Sequence, residues 1–383
     1  MRSIHNASTG ILVVRSRSSE TAPALDPVRR ASFGAIDVFR RIQGDTLALF
    51  GVAPKECAHQ ISASGPFWRL RDYGGRRGAL RFLIVAAPIK RPYIWDLAPK
   101  VSAVRHCLEN GLHVYLLEWL PASGTTGDNG IAEYANAIRD CAAKIAKDSD
   151  GVPPFAIGHS LGGTLAMIFA ALEPKALQGL ILLGAPLCFD PANHSFRNAL
   201  LDLVPSTVDD TGPYPGSLLS YATAMACPEA FVWARLKDAA QSISDNLALE
   251  IHARVERWAL DEVSLPGKLV HQIVEWLYRD NRFCRGELRI GNSLIGPDNF
   301  LVPTLAVVNT ADDVAPIHSI EPFIKTMATM DVRIIEYPGE TGVCLQHLGF
   351  LIGRKAHAEL WPEIMSWILC KRQATPAARR FPE

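Results

Sequence analysis

The sequence lacks an excess of charge of either sign. Its 383 residues include 39 Lys and Arg and 39 Asp and Glu, so the formal net charge at pH 7 is zero. Proteins that bind nucleic acids usually carry a basic excess or a basic stripe along one face. The charge balance therefore argues against a nucleic-acid partner.

Long apolar runs are also missing. A membrane-spanning helix needs about 18 or more consecutive, mostly apolar residues, and no segment approaches that length. Near the N-terminus, the apolar run at residues 10–14 is too short for the core of a signal peptide. We therefore expect no membrane span and no export signal, and a cytoplasmic location.

The cysteines lack the spacing of a metal or redox motif. Eight are present, at positions 57, 107, 141, 188, 227, 284, 344 and 370. No two of them form a C-x-x-C pair, so the spacing signals neither a zinc site nor a thiol–disulfide motif. We expect all eight thiols to be reduced, and we expect no metal and no organic cofactor.

The sequence does contain short apolar runs separated by helical stretches. The runs predicted as strands are residues 67–71, 82–87, 113–118, 154–157, 179–183, 304–309 and 332–337. Apolar strands that alternate with helices are typical of a parallel sheet covered on both faces. The pattern predicts an α/β fold with a mostly parallel central sheet, in which residues 67–71 form an edge strand.

The same pattern divides the chain into segments. The predicted segments are a disordered N-terminus (1–25), a helical segment (26–65), the α/β core (66–189 and 301–370), a helical cap (190–300) and a flexible tail (371–383). The cap is predicted because this interval interrupts the strand–helix rhythm between two core strands. An alternative is that it forms an enlarged crossover with no role at a site.

One motif carries chemistry. Residues 158–162 read Gly-His-Ser-Leu-Gly, a G-x-S-x-G sequence that follows an apolar strand and precedes the helix-forming residues 164–170. In that context the serine lies on a sharp turn between strand and helix, which is typical of the α/β-hydrolase fold. The motif predicts Ser160 as a nucleophile and the backbone N–H of Leu161 as an oxyanion donor. A chance match in a glycine-rich loop is the alternative.

A serine nucleophile needs a base and an acid that orients the base. In this fold both follow the serine in the chain, the acid first and the histidine last. Of the later histidines, His347 fits best because it follows the last predicted strand, whereas His357 begins an apparent exposed helix. The acid should follow the strand 304–309, where Asp312 and Asp313 both occur. The residues alone do not separate these two carboxylates.

A second oxyanion donor is expected in the loop after the strand 82–87. Pro88 has no N–H group. The next residue, Ile89, is therefore the predicted donor.

Several segments resemble polyhydroxyalkanoate synthases, especially the short class that works with a second subunit. Residues 84–97 (IVAAPIKRPYIWDL) and 111–119 (GLHVYLLEW) are similar to the segments that precede the site in that family. Within the predicted cap, residues 258–267 and 281–288 are similar as well. The resemblance covers roughly residues 80–370, in several motifs in the same order. It is compatible with a homodimer or a second subunit as partner.

The resemblance implies roles for individual residues. It implies Asp312 as the acid, because Val314 and Pro316 follow at the family's spacing, and His347 as the base. At the nucleophile position the chain departs from the family, because the synthases have a cysteine where this chain has Ser160.

Three functions compete on this basis. The serine favours hydrolysis of small-molecule acyl esters or thioesters, with a hydroxyacyl substrate implied by the resemblance. The alternative is transfer of a hydroxyacyl group from an acyl-CoA or a carrier to an alcohol. A catalytically silent scaffold is disfavoured because the Ser, Asp and His pattern is intact.

Overall fold

The computed structural model describes residues 27–124 and 126–374. The segment predicted as disordered, residues 1–25, lies outside the described residues, and so does most of the predicted tail.

Twelve strands are formed in this part of the chain. They are β1 (Gln60–Ser64), β2 (Trp68–Asp72), β3 (Arg81–Val85), β4 (His113–Trp119), β5 (Phe155–His159), β6 (Gly179–Leu183), β7 (Pro213–Tyr214), β8 (Leu265–Pro266), β9 (Leu288–Ile290), β10 (Ser293–Ile295), β11 (Thr304–Asn309) and β12 (Val332–Tyr337). Eight of them make one sheet in the order β1-β2-β4-β3-β5-β6-β11-β12. β1 and β2 are antiparallel to their neighbours and the remaining strands are parallel.

The described residues also form twelve α-helices. They are α1 (Pro27–Leu47), α2 (Ala103–Glu109), α3 (Ile131–Lys147), α4 (Leu161–Leu172), α5 (Ser195–Leu203), α6 (Gly216–Ala226), α7 (Ala234–Ser242), α8 (Asn246–Leu260), α9 (Gly267–Gln272), α10 (Glu321–Lys325), α11 (Gly349–Ile352) and α12 (Trp361–Ala374). Short 3₁₀ and π-helical turns connect several of them. None of the helices in the described ranges is long and apolar enough to cross a membrane.

Apolar side chains fill a core on each face of the sheet. On one face, Leu83 and Leu182 belong to the same cluster as residues of α3 and α4. On the other face, Phe82 and Leu183 cluster with residues of α2 and α12. Because β5, β6 and β11 are buried along their whole length, they read as continuous apolar runs. The predicted α/β-hydrolase architecture with a mostly parallel sheet is confirmed.

The first strands differ from the sequence-based prediction. β1 lies within residues 26–65, which were predicted to be helical, so the sheet begins at Gln60 rather than at Pro66. β2 is consequently not an edge strand, since β1 pairs on its outer side. The sequence of β1, QISAS, is short and largely polar, and gave no periodic signal. At the other end, α12 extends to Ala374, into the predicted tail.

Helices α5 to α9 lie between β6 and β11, and α1 packs on them. The Asp37 carboxylate of α1 accepts hydrogen bonds from the backbone N–H groups of Gly216 and Ser217 at 3.0 and 2.7 Å. The Ser217 hydroxyl donates to the Phe33 carbonyl at 2.8 Å. Both N–H groups belong to the first turn of α6, whose N–H groups have no partner within the helix. The Asp37 side chain of α1 therefore satisfies the N-terminus of α6. This helix belongs to the interval 190–300, which was predicted to cover the site.

The expectation of eight reduced thiols is wrong. Cys188 and Cys284 form a disulfide, with their Cα atoms 5.0 Å apart and a separation of 96 positions along the chain. Cys188 follows β6, and Cys284 lies beyond α9, so the bond joins the core to the inserted interval. Chain spacing carried no signal for a pair this distant. Because disulfides persist mainly in oxidising compartments, the argument from reduced thiols to a cytoplasmic location no longer holds.

Candidate active site

Ser160 lies at the turn between β5 and α4 with strained backbone angles. Its φ is 53° and its ψ is −135°, which only glycine adopts without cost. Its backbone N–H donates to the Leu183 carbonyl at 3.0 Å. Its carbonyl accepts from the N–H groups of Gly163 and Thr164 at 2.9 and 3.1 Å. These bonds hold the serine in its strained conformation at the helix N-terminus.

The glycines of the motif are required by close approach of the backbone. A Cβ atom at Gly158 would lie 2.5 Å from the Gly163 Cα atom. A Cβ atom at Gly162 would overlap the carbonyl oxygen of Val85 at the end of β3. The sharp turn therefore exists only because these positions lack side chains.

His347 and Asp312 form a buried pair. The Nδ1 atom of His347 lies 2.6 Å from Oδ2 of Asp312, and the two residues are 6% and 4% exposed. Since a carboxylate only accepts, we assign the proton to Nδ1, which leaves a lone pair on Nε2. That Nε2 atom is buried and has no hydrogen-bond partner among the described residues.

The environment of Asp312 keeps it ionised. Burial would raise the pKa of Asp312, but the adjacent His347 and the hydrogen bonds from His347, Val314 and Ala315 outweigh it and lower the pKa. The two backbone N–H groups donate to Oδ1 at 2.9 and 3.2 Å. Asp313, the alternative acid, is exposed. Of the two carboxylates, only Asp312 contacts the imidazole.

His159, inside the G-x-S-x-G motif, packs against His347. Its Nε2–H donates to the His347 carbonyl at 2.7 Å, and the ring centroids are 4.5 Å apart. Burial, with repulsion from His347, lowers the pKa of His159 to about 3. His159 is therefore neutral at ordinary pH and holds the backbone of the histidine loop. Sequence reasoning missed it by setting aside every histidine before Ser160.

The two predicted oxyanion donors border the same space as Ser160. Leu161 is the first residue of α4, so its N–H has no intrahelical partner. Ile89 lies in the turn after β3, and both residues line the cavity that Ser160 and His347 line. Their assignment as donors stays a prediction.

A cavity of about 640 Å³ opens over Ser160. Its walls come from the core and from α1, α5, α6 and α8, and they are mainly apolar, with side chains such as Phe33, Phe196, Leu218 and Trp258. Cavities of this size and character suit acyl chains or drug-sized ligands. The contribution of α1 was not expected from the sequence.

An ion pair connects the inserted interval, residues 190–300, to the loop that carries Ile89. The Nζ atom of Lys90 donates to the Glu262 carboxylate and to the Ala259 carbonyl, both at 2.6 Å. Arg40 of α1 lies 3.2 Å from the same carboxylate. No spacing in the sequence links these three residues, so only the tertiary structure could reveal the pair.

The fold and the serine turn define a class of protein. A family model described as the alpha/beta hydrolase fold matches residues 95–337. The chain belongs to this family.

Within the family, the chain is similar to poly(3-hydroxyalkanoate) polymerase subunits PhaC, so the expected resemblance is confirmed. It is 30% identical to the subunit from Haloarcula marismortui over 289 residues, which cover 74% of this chain and 60% of that protein. It is 26% identical to the subunit from Synechocystis sp., with 83% of this chain and 85% of that protein covered. The chain thus spans only about 60% of the length of the haloarchaeal relatives it matches.

Solved structures of other enzymes share the fold. A putative lipase from Sulfolobus solfataricus superposes with a TM-score of 0.54 at 17% identity, covering 82% of this chain and 93% of that one. A monoglyceride lipase variant from Saccharomyces cerevisiae gives 0.51 at 14% identity, covering 83% and 96%. At these identities the likeness establishes the architecture alone.

Proposed function

We propose that this protein is a serine hydrolase that cleaves acyl esters or thioesters, with hydroxyacyl groups as the substrate class. One observation carries the proposal. A serine in a strained strand–helix turn shares an apolar cavity with a buried Asp312–His347 pair. Such an arrangement suits nucleophilic acyl chemistry. A serine hydroxyl is a poor nucleophile at neutral pH, and this pair supplies a base to take its proton and an acid to orient that base.

In the proposed reaction, Nε2 of His347 takes the proton of the Ser160 hydroxyl while Oγ bonds to the acyl carbonyl carbon. The N–H groups of Leu161 and Ile89 would stabilise the oxyanion. Collapse breaks the bond to the leaving alkoxide or thiolate, which receives the proton from His347. Water then attacks the acyl-serine by the same route and releases the free acid.

The identity of the nucleophile favours water as the final acceptor. A cysteine thioester exchanges readily with an acyl-CoA thioester, which suits repeated chain transfer. An acyl-serine ester returns to a thioester less easily, so attack by water or an alcohol is favoured. Asp312 and His347 are compatible with either outcome.

Acyl transfer is the second candidate, and the similarity to the polymerase subunits favours it. In this reaction an alcohol, such as the hydroxyl of a second hydroxyacyl group, replaces water as acceptor. The cations Arg29 and Arg91 line the cavity, and two further cations there, Arg40 and Lys90, are paired with Glu262. Arg29 and Arg91 would favour a substrate with an anionic head group, such as an acyl-CoA.

Labelling tests the nucleophile. A fluorophosphonate should label the wild-type chain and leave Ser160→Ala unlabelled, and turnover of p-nitrophenyl esters should fall to background. Cys370→Ser, an exposed substitution, serves as the matched control and should label normally. Labelling of Ser160→Ala would rule out Ser160 as the nucleophile.

Product analysis separates the two candidate reactions. With 3-hydroxyacyl-CoA, we expect release of CoA and of the monomeric free acid in equal amounts. Oligomeric acyl products would instead establish transfer and contradict hydrolysis. Ser160→Cys should shift the products toward oligomers, because the thiol restores exchange with the thioester.

A further inference from the structure

Three potential metal ligands converge behind the base-bearing loop. Asp238 lies on α7, His252 on α8, and Cys344 in the loop between β12 and His347. Their donor atoms all lie within 4.8 Å of one another. The residues are 7%, 8% and 3% exposed, and the proposed acyl chemistry uses none of them.

Two of the three side chains contact the same ring nitrogen of His252. Nδ1 of His252 lies 3.2 Å from Oδ2 of Asp238 and 2.9 Å from Sγ of Cys344. A ring nitrogen either donates one hydrogen or offers one lone pair, so it pairs well with the carboxylate or with the thiol, and not with both. A cation between the three atoms could bind all of them at once, because each can offer a lone pair.

We propose that Asp238, His252 and Cys344 bind a Zn²⁺ ion. Zinc favours four-coordinate sites with sulfur, imidazole nitrogen and carboxylate oxygen ligands, and this cluster offers one of each. Binding replaces the thiol proton, which is released to solvent, by a Zn–S bond, with no change of oxidation state. The fourth position is left to water.

The surroundings of the three ligands resemble the support that metal sites need. The Asp238 carboxylate is held by the backbone N–H groups of Gly342 and Cys344 at 2.6 and 2.9 Å. The second ring nitrogen of His252 lies 3.8 Å from the Glu256 carboxylate, a partner typical of metal-bound imidazoles. Arg235 pairs with Glu256 at 2.5 Å, so its charge is already balanced.

The proposed ion would have a structural role. It would link α7 and α8 to the loop that carries His347, because Cys344 is only three residues before it. Cys344 also borders the cavity over Ser160, which provides a route for the ion to enter.

Metal analysis tests the proposal. The full chain, expressed with zinc and dialysed against metal-free buffer, should retain about one zinc per chain. Cys344→Ser and Asp238→Asn should each lower the retained zinc at least tenfold, whereas Cys141→Ser, at another buried free cysteine, should retain it. Co²⁺ added to the chelator-treated protein should give thiolate-to-metal charge-transfer absorption in the wild type and none in Cys344→Ser.

A second measurement keeps the test decisive if a variant folds poorly. Zinc added to the chelator-treated wild type should raise its melting temperature, since a ligand that binds only the folded state stabilises it. Absence of both retained zinc and the melting shift in the folded wild type would overturn the proposal. Ser160→Ala should bind zinc normally, so failure of the metal site and failure of the hydrolase proposal give different results.

Discussion

At the scale of single residues, the site depends on which of two adjacent carboxylates reaches the imidazole. Asp312 is 4% exposed and lies 2.6 Å from His347, whereas its neighbour Asp313 points to solvent. A buried acceptor selects the tautomer of the histidine that leaves Nε2 free to accept a proton. The strained backbone of Ser160 and the packing of His159 on His347 complete this arrangement.

We expect Asp312→Asn to lower kcat for p-nitrophenyl esters by a factor on the order of 10³–10⁴, because an amide stabilises the wrong tautomer. Asp313→Asn is the matched control, and it should leave kcat within about twofold, since surface changes away from the site have small effects. Steady-state kinetics of the two purified variants checks this. If Asp313→Asn were the damaging substitution, the two carboxylates would exchange roles.

At the scale of elements, ion pairs anchor the inserted helices beside the loop that carries Ile89. The Glu262 side chain is 1% exposed and contacts Lys90 at 2.6 Å and Arg40 at 3.2 Å. Ser220 of α6 adds a hydrogen bond to the same carboxylate at 3.0 Å. Three segments far apart in sequence therefore meet at one carboxylate, next to the predicted donor Ile89.

Breaking this contact should be costly. We expect Lys90→Met to lower the free energy of unfolding by about 3 kcal/mol. The substitution leaves the buried Glu262 carboxylate with Arg40 as its remaining ion-pair partner among the described residues. Lys325→Met removes an exposed ion pair with Glu321 and should cost less than about 0.5 kcal/mol. Urea unfolding measures both.

The double variant Lys90→Met with Glu262→Gln should be less destabilised than the sum of the two single variants, because it removes both charges together. Additive losses would show that Lys90 and Glu262 do not interact energetically.

At the scale of the whole molecule, three histidines withdrawn from solvent make stability depend on pH. His159 and His194 are buried, and His357, which was expected on an exposed helix, is half-buried. Burial is the first cause that lowers the pKa of each, to about 3 for His159 and to about 4 for His194 and His357. In the unfolded chain a histidine has a pKa of about 6.5. Between these values the unfolded state binds protons that the folded state does not, so stability falls as the pH falls.

Acid should therefore destabilise the protein before its carboxylates protonate. We expect the free energy of unfolding to be nearly constant above about pH 6.5, and to decline between about pH 6.5 and 4 by on the order of 2–3 kcal/mol for each of these histidines. His357→Gln should reduce this decline, while His59→Gln, at an exposed histidine, should not. Urea unfolding at a series of pH values would contradict the expectation if His357→Gln followed the wild-type slope.

The sequence by itself determined the parts that depend on local pattern. The short, mostly apolar runs of β3 to β6, β11 and β12 predicted the parallel sheet, and the G-x-S-x-G motif between strand and helix located Ser160. Chain order then selected His347, because the connectivity of the fold leaves few histidines at the end of the sheet. The strands and the serine turn could be predicted because hydrophobic periodicity and turn residues act between neighbours in the sequence.

Only the tertiary structure decided the contacts between distant segments. It brought the carboxylate of Asp312, which the resemblance but not the residues alone had favoured over Asp313, to the imidazole of His347. It also placed His159 against His347, paired Cys188 with Cys284, and joined Lys90 to Glu262. It also paired the polar strand β1 with β2 in a segment predicted to be helical. These contacts have one physical reason in common. Burial, charge pairing and strand addition depend on which surfaces meet after folding, and the local sequence pattern carries no information about that.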